Sequence, residues 1–133
     1  MKKYLFLIIT ISLIGCRLIP VNDFEYVMYE VNQTLTYKSD TIGYLQSPEE
    51  SLELLTGDCE DYALLMLDEV WKQFNVMGYI VTIKNGENIH SIVELQGRYY
   101  DPTFCVSFEE VPEGWEIISS GSYFIVISLA RYN

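Results

Sequence analysis

Beyond residue 22 the chain carries two hydrophobic rhythms in succession. Phe24, Val27 or Met28, Val31 and Leu35 recur at helical spacing and predict an amphipathic helix over residues 23 to 36, with Tyr26, Tyr29 and Tyr37 as packing residues. Residues 38 to 46 carry loop-forming residues and no period. Ser47-Pro48-Glu49-Glu50 sets a capping serine before a first-turn proline and a glutamate, so a short helix runs on to Leu55. Thr56-Gly57 ends it, Asp58 caps the next, and apolar positions at Tyr62, Leu65, Met66, Val70 and Phe74 carry a longer helix that starts at Cys59. After Gly78 the period falls to two. Tyr79 to Lys84, Ile89 to Leu95 and Arg98 to Asp101 read as strands joined by tight turns at Asn85-Gly86 and Gln96-Gly97. Val111 to Trp115 reads as a surface loop, and the unbroken apolar run Tyr123 to Ala130 as a central strand covered on both faces. The class expected is α+β, with N-terminal helices packed on an antiparallel sheet.

The first residues follow a different logic. Lys2 and Lys3 precede an apolar run from Tyr4 to Ile14, which is too short to span a bilayer as a helix of about 20 residues. Leu13-Ile14-Gly15-Cys16 closes that run and resembles the lipobox of bacterial lipoproteins, where cleavage before the cysteine leaves it acylated. An uncleaved anchor, or a signal cut elsewhere, is the competing reading. The lipobox implies a signal peptide over residues 1 to 15, a lipidated tether over 16 to 22 and one domain over 23 to 133. It also implies a bacterial cell envelope location, with the lipid holding the domain to a periplasmic or extracellular membrane face.

Charge narrows the partners. The chain has 8 basic and 19 acidic residues, and loss of Lys2 and Lys3 with the signal would move the net charge from −11 to about −13. Such acidity argues against nucleic acid and against a polybasic membrane patch. A monomer is expected. Three cysteines are too few for a disulfide scaffold. With Cys16 lipidated, Cys105 reads as a buried structural thiol among Phe104, Val106 and Phe108, and a Cys59–Cys105 disulfide is the alternative.

Cys59, the lone histidine His90, and Asp101 follow one another in that order. A thiol, an imidazole that takes its proton and a carboxylate that orients the imidazole are the minimum parts of a cysteine nucleophile. The predicted elements suit them. Cys59 falls in the first turn of its helix, where backbone N–H groups and the helix dipole favour a thiolate and can hold an oxyanion. His90 and Asp101 fall on neighbouring antiparallel strands, not directly opposite, so that a bulge or longer loop would bring them together. Each part also has a bland reading: a small buried cysteine, or a polar histidine on a strand face.

Gly57-Asp58-Cys59-Glu60-Asp61-Tyr62-Ala63, His90 opening a strand, and Tyr99-Tyr100-Asp101-Pro102-Thr103 resemble the transglutaminase-like superfamily, a branch of the papain-like fold. The resemblance covers roughly residues 44 to 104. It implies Cys59 as nucleophile, His90 as general base and then acid, and Asp101 as orienting carboxylate. Ser91-Ile92-Val93 follows the histidine where the family most often has an aromatic. Gln46 and Tyr44, upstream of the cysteine helix, are the candidate oxyanion donors. Asp58-Cys59-Glu60 further resembles the bacterial transglutaminase-like cysteine proteases, some of them calcium dependent. Two carboxylates alone make no calcium site, and a helix cap accounts for them equally well. Two functions follow: a membrane-anchored cysteine hydrolase or acyl transferase acting on peptide or amide bonds, or a catalytically silent lipoprotein that binds a peptide or protein partner.

Overall fold

The computed structural model describes residues 23–39 and 43–132, so the signal, Cys16 and the tether lie outside the described residues. Helix α1 (Asp23–Thr34) is followed by β1 (Thr36–Tyr37), α2 (Pro48–Leu54), β2 (Thr56–Gly57) and α3 (Cys59–Phe74). Then come β3 (Tyr79–Asn85), β4 (Asn88–Leu95), β5 (Arg98–Asp101), β6 (Val106–Phe108), β7 (Glu116–Ser122) and α4 (Tyr123–Arg131). The last five strands form an antiparallel sheet in the order β6-β5-β4-β3-β7, and β1 pairs with β2 in a separate parallel pair. Among the described residues no helix is long and apolar enough to cross a membrane.

Helix α3 is the centre of the packing. Its side chains from Asp61 through Asp68, and Val70, are buried on nearly every side. Val27, Met28 and Val31 of α1, Val93 and Leu95 of β4, and Ile127 of α4 close around it in one core. Burying each such aliphatic side chain is worth about 1.5–3 kcal/mol against leaving it in water, which explains why α1 and α4 dock by single apolar stripes. The opposite face of the sheet carries a smaller cluster of Val81, Ile83 and Ile92, covered by Tyr99, Phe108, Val111 and Trp115. The Val111 to Trp115 loop therefore roofs that face.

The helices and the three strands through Asp101 occur where periodicity places them; the last third differs. Tyr123–Arg131 is a helix, not a central strand. Its buried residues Tyr123, Ile127 and Ala130 keep a helical spacing, while Phe124, Ile125 and Leu129 face outward. A buried bond from the Tyr123 hydroxyl to Asp68 at 2.8 Å ties it to α3. The sheet gains instead the polar strand β7, whose sequence EIISSGS lacks any apolar alternation and pairs with β3 through a register shift at Thr82/Ile83. Tyr26, Tyr29 and Tyr37 are half or more exposed and are not core residues.

Candidate active site

The start of α3 is built by two aspartates that cap each other. Asp58 Oδ1 accepts from the backbone N–H groups of Glu60 at 3.0 Å and Asp61 at 3.3 Å, and Asp61 Oδ2 accepts from the Asp58 N–H at 3.0 Å. Reciprocal capping satisfies donors that a helix start otherwise leaves open, and it holds Cys59 at the first helical position. Gly57 is required beside it, because a Cβ there would stand 2.6 Å from the Asp61 Cβ.

Asp61 is fully buried and does more than cap. Its Oδ1 takes the Gln46 backbone N–H at 2.9 Å and its Oδ2 the Gln46 Nε2 at 2.7 Å, pinning the 43–47 loop against the helix start. Burial pushes its carboxyl above the usual carboxylate range, against the opposing pull of the N–H donors of Asp58 and Gln46.

His90 comes from β4 and Asp101 from the end of β5. The register pairs Val93 with Tyr100 and Leu95 with Arg98 across a two-residue turn in which Gln96 has φ 51° and Gly97 φ 80°. Continued, that register sets Asp101 across from Ile92, so His90 lies on the diagonal and on the same face. Diagonal neighbours are within reach of long side chains, and here no bulge is needed. His90 Nε2 meets Asp101 Oδ2 at 2.7 Å. Asp101 Oδ1 accepts from the N–H groups of Thr103 at 3.0 Å and Phe104 at 3.2 Å, so the carboxylate has no freedom to turn.

Cys59 stands near enough to His90 to act on the titration of the imidazole. Burial works to lower the His90 pKa, but the hydrogen bonds to Asp101 and Cys59 and the charges of both outweigh it, and the imidazole is raised to about 9. At neutral pH it carries a proton. The Phe104 ring leans on it at 5.4 Å between centroids while remaining 70% exposed, forming an apolar wall over the imidazole.

The candidate oxyanion donors upstream are committed elsewhere. Gln46 Nε2 donates to Asp61 Oδ2 and to the Thr56 carbonyl at 3.1 Å, two acceptors that fix which end of the amide is nitrogen. Its buried Oε1 is an acceptor and cannot stabilise an oxyanion. Tyr44 donates to the Glu50 carboxylate at 2.7 Å. Both side chains thus shape the loop instead of pointing a donor at the thiol. Cys59 and Cys105 are both free thiols. Cys105 is only half-buried, sits at φ 57°, and has its pKa raised by burial and by the charge of Asp101.

Comparison with solved structures then places the architecture. Legionella pneumophila LapG in its calcium-bound form superposes with a TM-score of 0.60 at 20% identity, covering 74% of this chain and 62% of LapG. The chain has the LapG fold. EGTA-treated LapG superposes with a TM-score of 0.57 at 19% identity, covering 73% of this chain and 60% of LapG. This chain therefore spans about three-fifths of the LapG chains it matches. The LapG likeness is one of fold, and it agrees with the α+β class expected from the sequence. No family model matches the sequence, and no curated protein does.

Asn32, Asp61 and Phe104 complete the site without having been singled out by sequence. Asn32 Nδ2 donates from α1 to the carbonyls of Pro102 at 3.1 Å and Thr103 at 3.0 Å, holding the loop that carries the Asp101 turn. Asp61 had a readable signal, an acidic residue three positions after a capping Asp58; Asn32 had none. Of the acidic residues flanking the thiol, Asp58 uses Oδ1 to cap the helix, and among the described residues no group of three or more His, Cys, Asp or Glu side chains is placed to hold a metal ion.

Proposed function

We propose that this protein is a cysteine hydrolase or acyl transferase acting on peptide or amide bonds, tethered to a membrane of the bacterial cell envelope by acylated Cys16. The observation that carries the reading is His90 bonded to the Asp101 carboxylate with the Cys59 thiol near enough to influence its titration. The Cys59 sulfur attacks the carbonyl carbon, and the carbonyl π electrons move to oxygen. The protonated His90 delivers its proton to the departing amine, leaving a thioester on Cys59 and a neutral imidazole. Water or a second amine then attacks the thioester, His90 accepts the incoming proton, and the thiolate leaves. Asp58 occupies the N–H groups of Glu60 and Asp61, so the Cys59 N–H is the first-turn donor assigned to the oxyanion. The substrate is a protein or peptide, and the domain works as a monomer. LapG is solved with calcium bound, which brings calcium into consideration for this fold, but no step above passes through a cation.

The commitment of Gln46 and Tyr44 to the loop favours one second reading, a silent transglutaminase-like lipoprotein that binds a peptide. Thiol reactivity separates the two. Cys59 should alkylate with iodoacetamide much faster than Cys105 between pH 6 and pH 7, and His90→Ala should slow Cys59 alone. Equal rates for the two thiols would leave only the binding reading.

A further inference from the structure

Helix α1 docks through Val27, Met28 and Val31, and the next residue, Asn32, sits half-buried at the rim of that stripe. Its Oδ1 accepts from Gln33 Nε2 at 3.0 Å, so the amide presents its nitrogen to the loop after Asp101. Nδ2 there serves the Pro102 and Thr103 carbonyls, 70 and 71 residues away in sequence. The same helix also reaches beyond the loop: Ser107 Oγ on β6 donates to Glu25 Oε1 at 2.7 Å. The segment after Asp101 is thus gripped from α1 at two points.

A trans peptide unit is planar, with its C=O and its N–H on opposite edges, and no cis bond occurs among the described residues. The unit joining Pro102 to Thr103 therefore offers its carbonyl to Asn32 and its N–H to Asp101. The unit joining Thr103 to Phe104 does the same. Asn32 and Asp101 clamp the same two peptide planes from opposite edges, and rotating either plane breaks a bond on both sides. Donation to a carbonyl also polarises its amide, which makes the N–H at the other edge a stronger donor. Both N–H groups converge on Asp101 Oδ1, and Oδ2 of the same carboxylate meets His90 at 2.7 Å.

We infer that Asn32 is a positioning residue for the His90–Asp101 pair: by fixing the two peptide planes it holds the Asp101 carboxylate in the rotamer that meets the imidazole. Its influence on the imidazole runs through Asp101. Without the Asn32 amide the planes gain freedom to turn, the carboxylate turns with them, and the imidazole loses its orientation toward the thiol. The catalytic consequence rests on the hydrolase or transferase reading of Cys59; the effect on the His90–Asp101 bond does not.

His90 is the only histidine, so its ring gives an unassisted NMR assignment in the 15N-labelled full chain held in detergent. Exchange of the Nε2 proton with water at pH 7 reads how often the bond to Asp101 opens, and iodoacetamide alkylation of Cys59 reads the chemistry. Asn32→Ala should speed the exchange by about tenfold and slow the alkylation by about tenfold, the scale of one to two lost hydrogen bonds. In an Asp101→Asn background the same substitution should change either rate by no more than about twofold, because the carboxylate it positions is gone. Unchanged exchange with only a lower melting temperature makes Asn32 a structural hold on the loop and overturns the proposal, as does an equal change in both backgrounds. Faster exchange in Asn32→Ala, in a protein whose unaltered Cys59 is no more reactive than Cys105, upholds the positioning of His90 and Asp101 and removes the enzyme reading instead. Where Asn32→Ala does not fold, Asn32→Ser, with one donor on a shorter arm, replaces it; unchanged exchange in that variant overturns the proposal.

Discussion

At His90 burial and hydrogen bonding oppose each other, and the outcome is a protonated imidazole with a pKa of about 9 against an ordinary 6.5. A group whose pKa rises on folding adds stability that is complete below the unfolded value and fades as the pH climbs through the folded one. The urea midpoint should therefore fall between pH 6.5 and pH 9. The fall should be smaller in Cys59→Ala, which removes the share owed to the thiol, and absent in His90→Ala; a His90→Ala profile that still falls would assign the slope to another group. Asp101 acts on the same imidazole from the other side, with its second oxygen fixed by two backbone N–H groups. Asp101→Asn should keep the fold but lower amide cleavage or transfer by about 10⁴-fold, as wrong-tautomer substitutions do in related triads. Loss of melting temperature with unchanged Cys59 labelling would move Asp101 from catalysis to the turn. The three residues were legible as types in a suitable order. Their contact was not, because it depends on a diagonal register that only the tight Gln96-Gly97 turn defines.

Elements differ in how far local chemistry decides them. Helix α3 is specified by its own sequence: Asp58 caps, Asp61 closes the box, Gly57 leaves the space, and the apolar positions keep a helical period. Asp61 nonetheless has a second, non-local task in holding Gln46. In Asp61→Asn one carboxylate oxygen becomes an N–H donor facing another donor, so the loss should be about 1–3 kcal/mol of stability, read by chemical denaturation. A cost within a few tenths would mean that the 43–47 loop is held by its other contacts. Helix α4 shows the opposite case. The run YFIVIS has the β-branched, apolar composition of a strand, yet it forms a helix because α3 offers a groove that takes Tyr123, Ile127 and Ala130 together. The sheet edge it leaves vacant goes to β7, whose backbone pairs with β3 without any apolar signal.

For the whole molecule, the N-terminal chemistry and the domain have to be read together. Cys16→Ala should remove fatty-acid label and release the protein from membranes; label persisting in that variant would refute the anchor. What the sequence determined by itself was whatever sits within a few residues: the caps, the tight turns, the period of α1, α3 and strands β3, β4 and β5, and the place of Cys59 at a helix start. These depend on backbone sterics, capping and amphipathic spacing, which act over one or two turns of chain. Tertiary structure alone decided the diagonal that joins His90 to Asp101, the loop held by Asn32 from α1, the diversion of Gln46 to Asp61, and the helical fate of Tyr123–Arg131. Each of these is a contact between segments far apart in sequence. Its free energy comes from burial and hydrogen bonding that exist only once α3 and the sheet have come together.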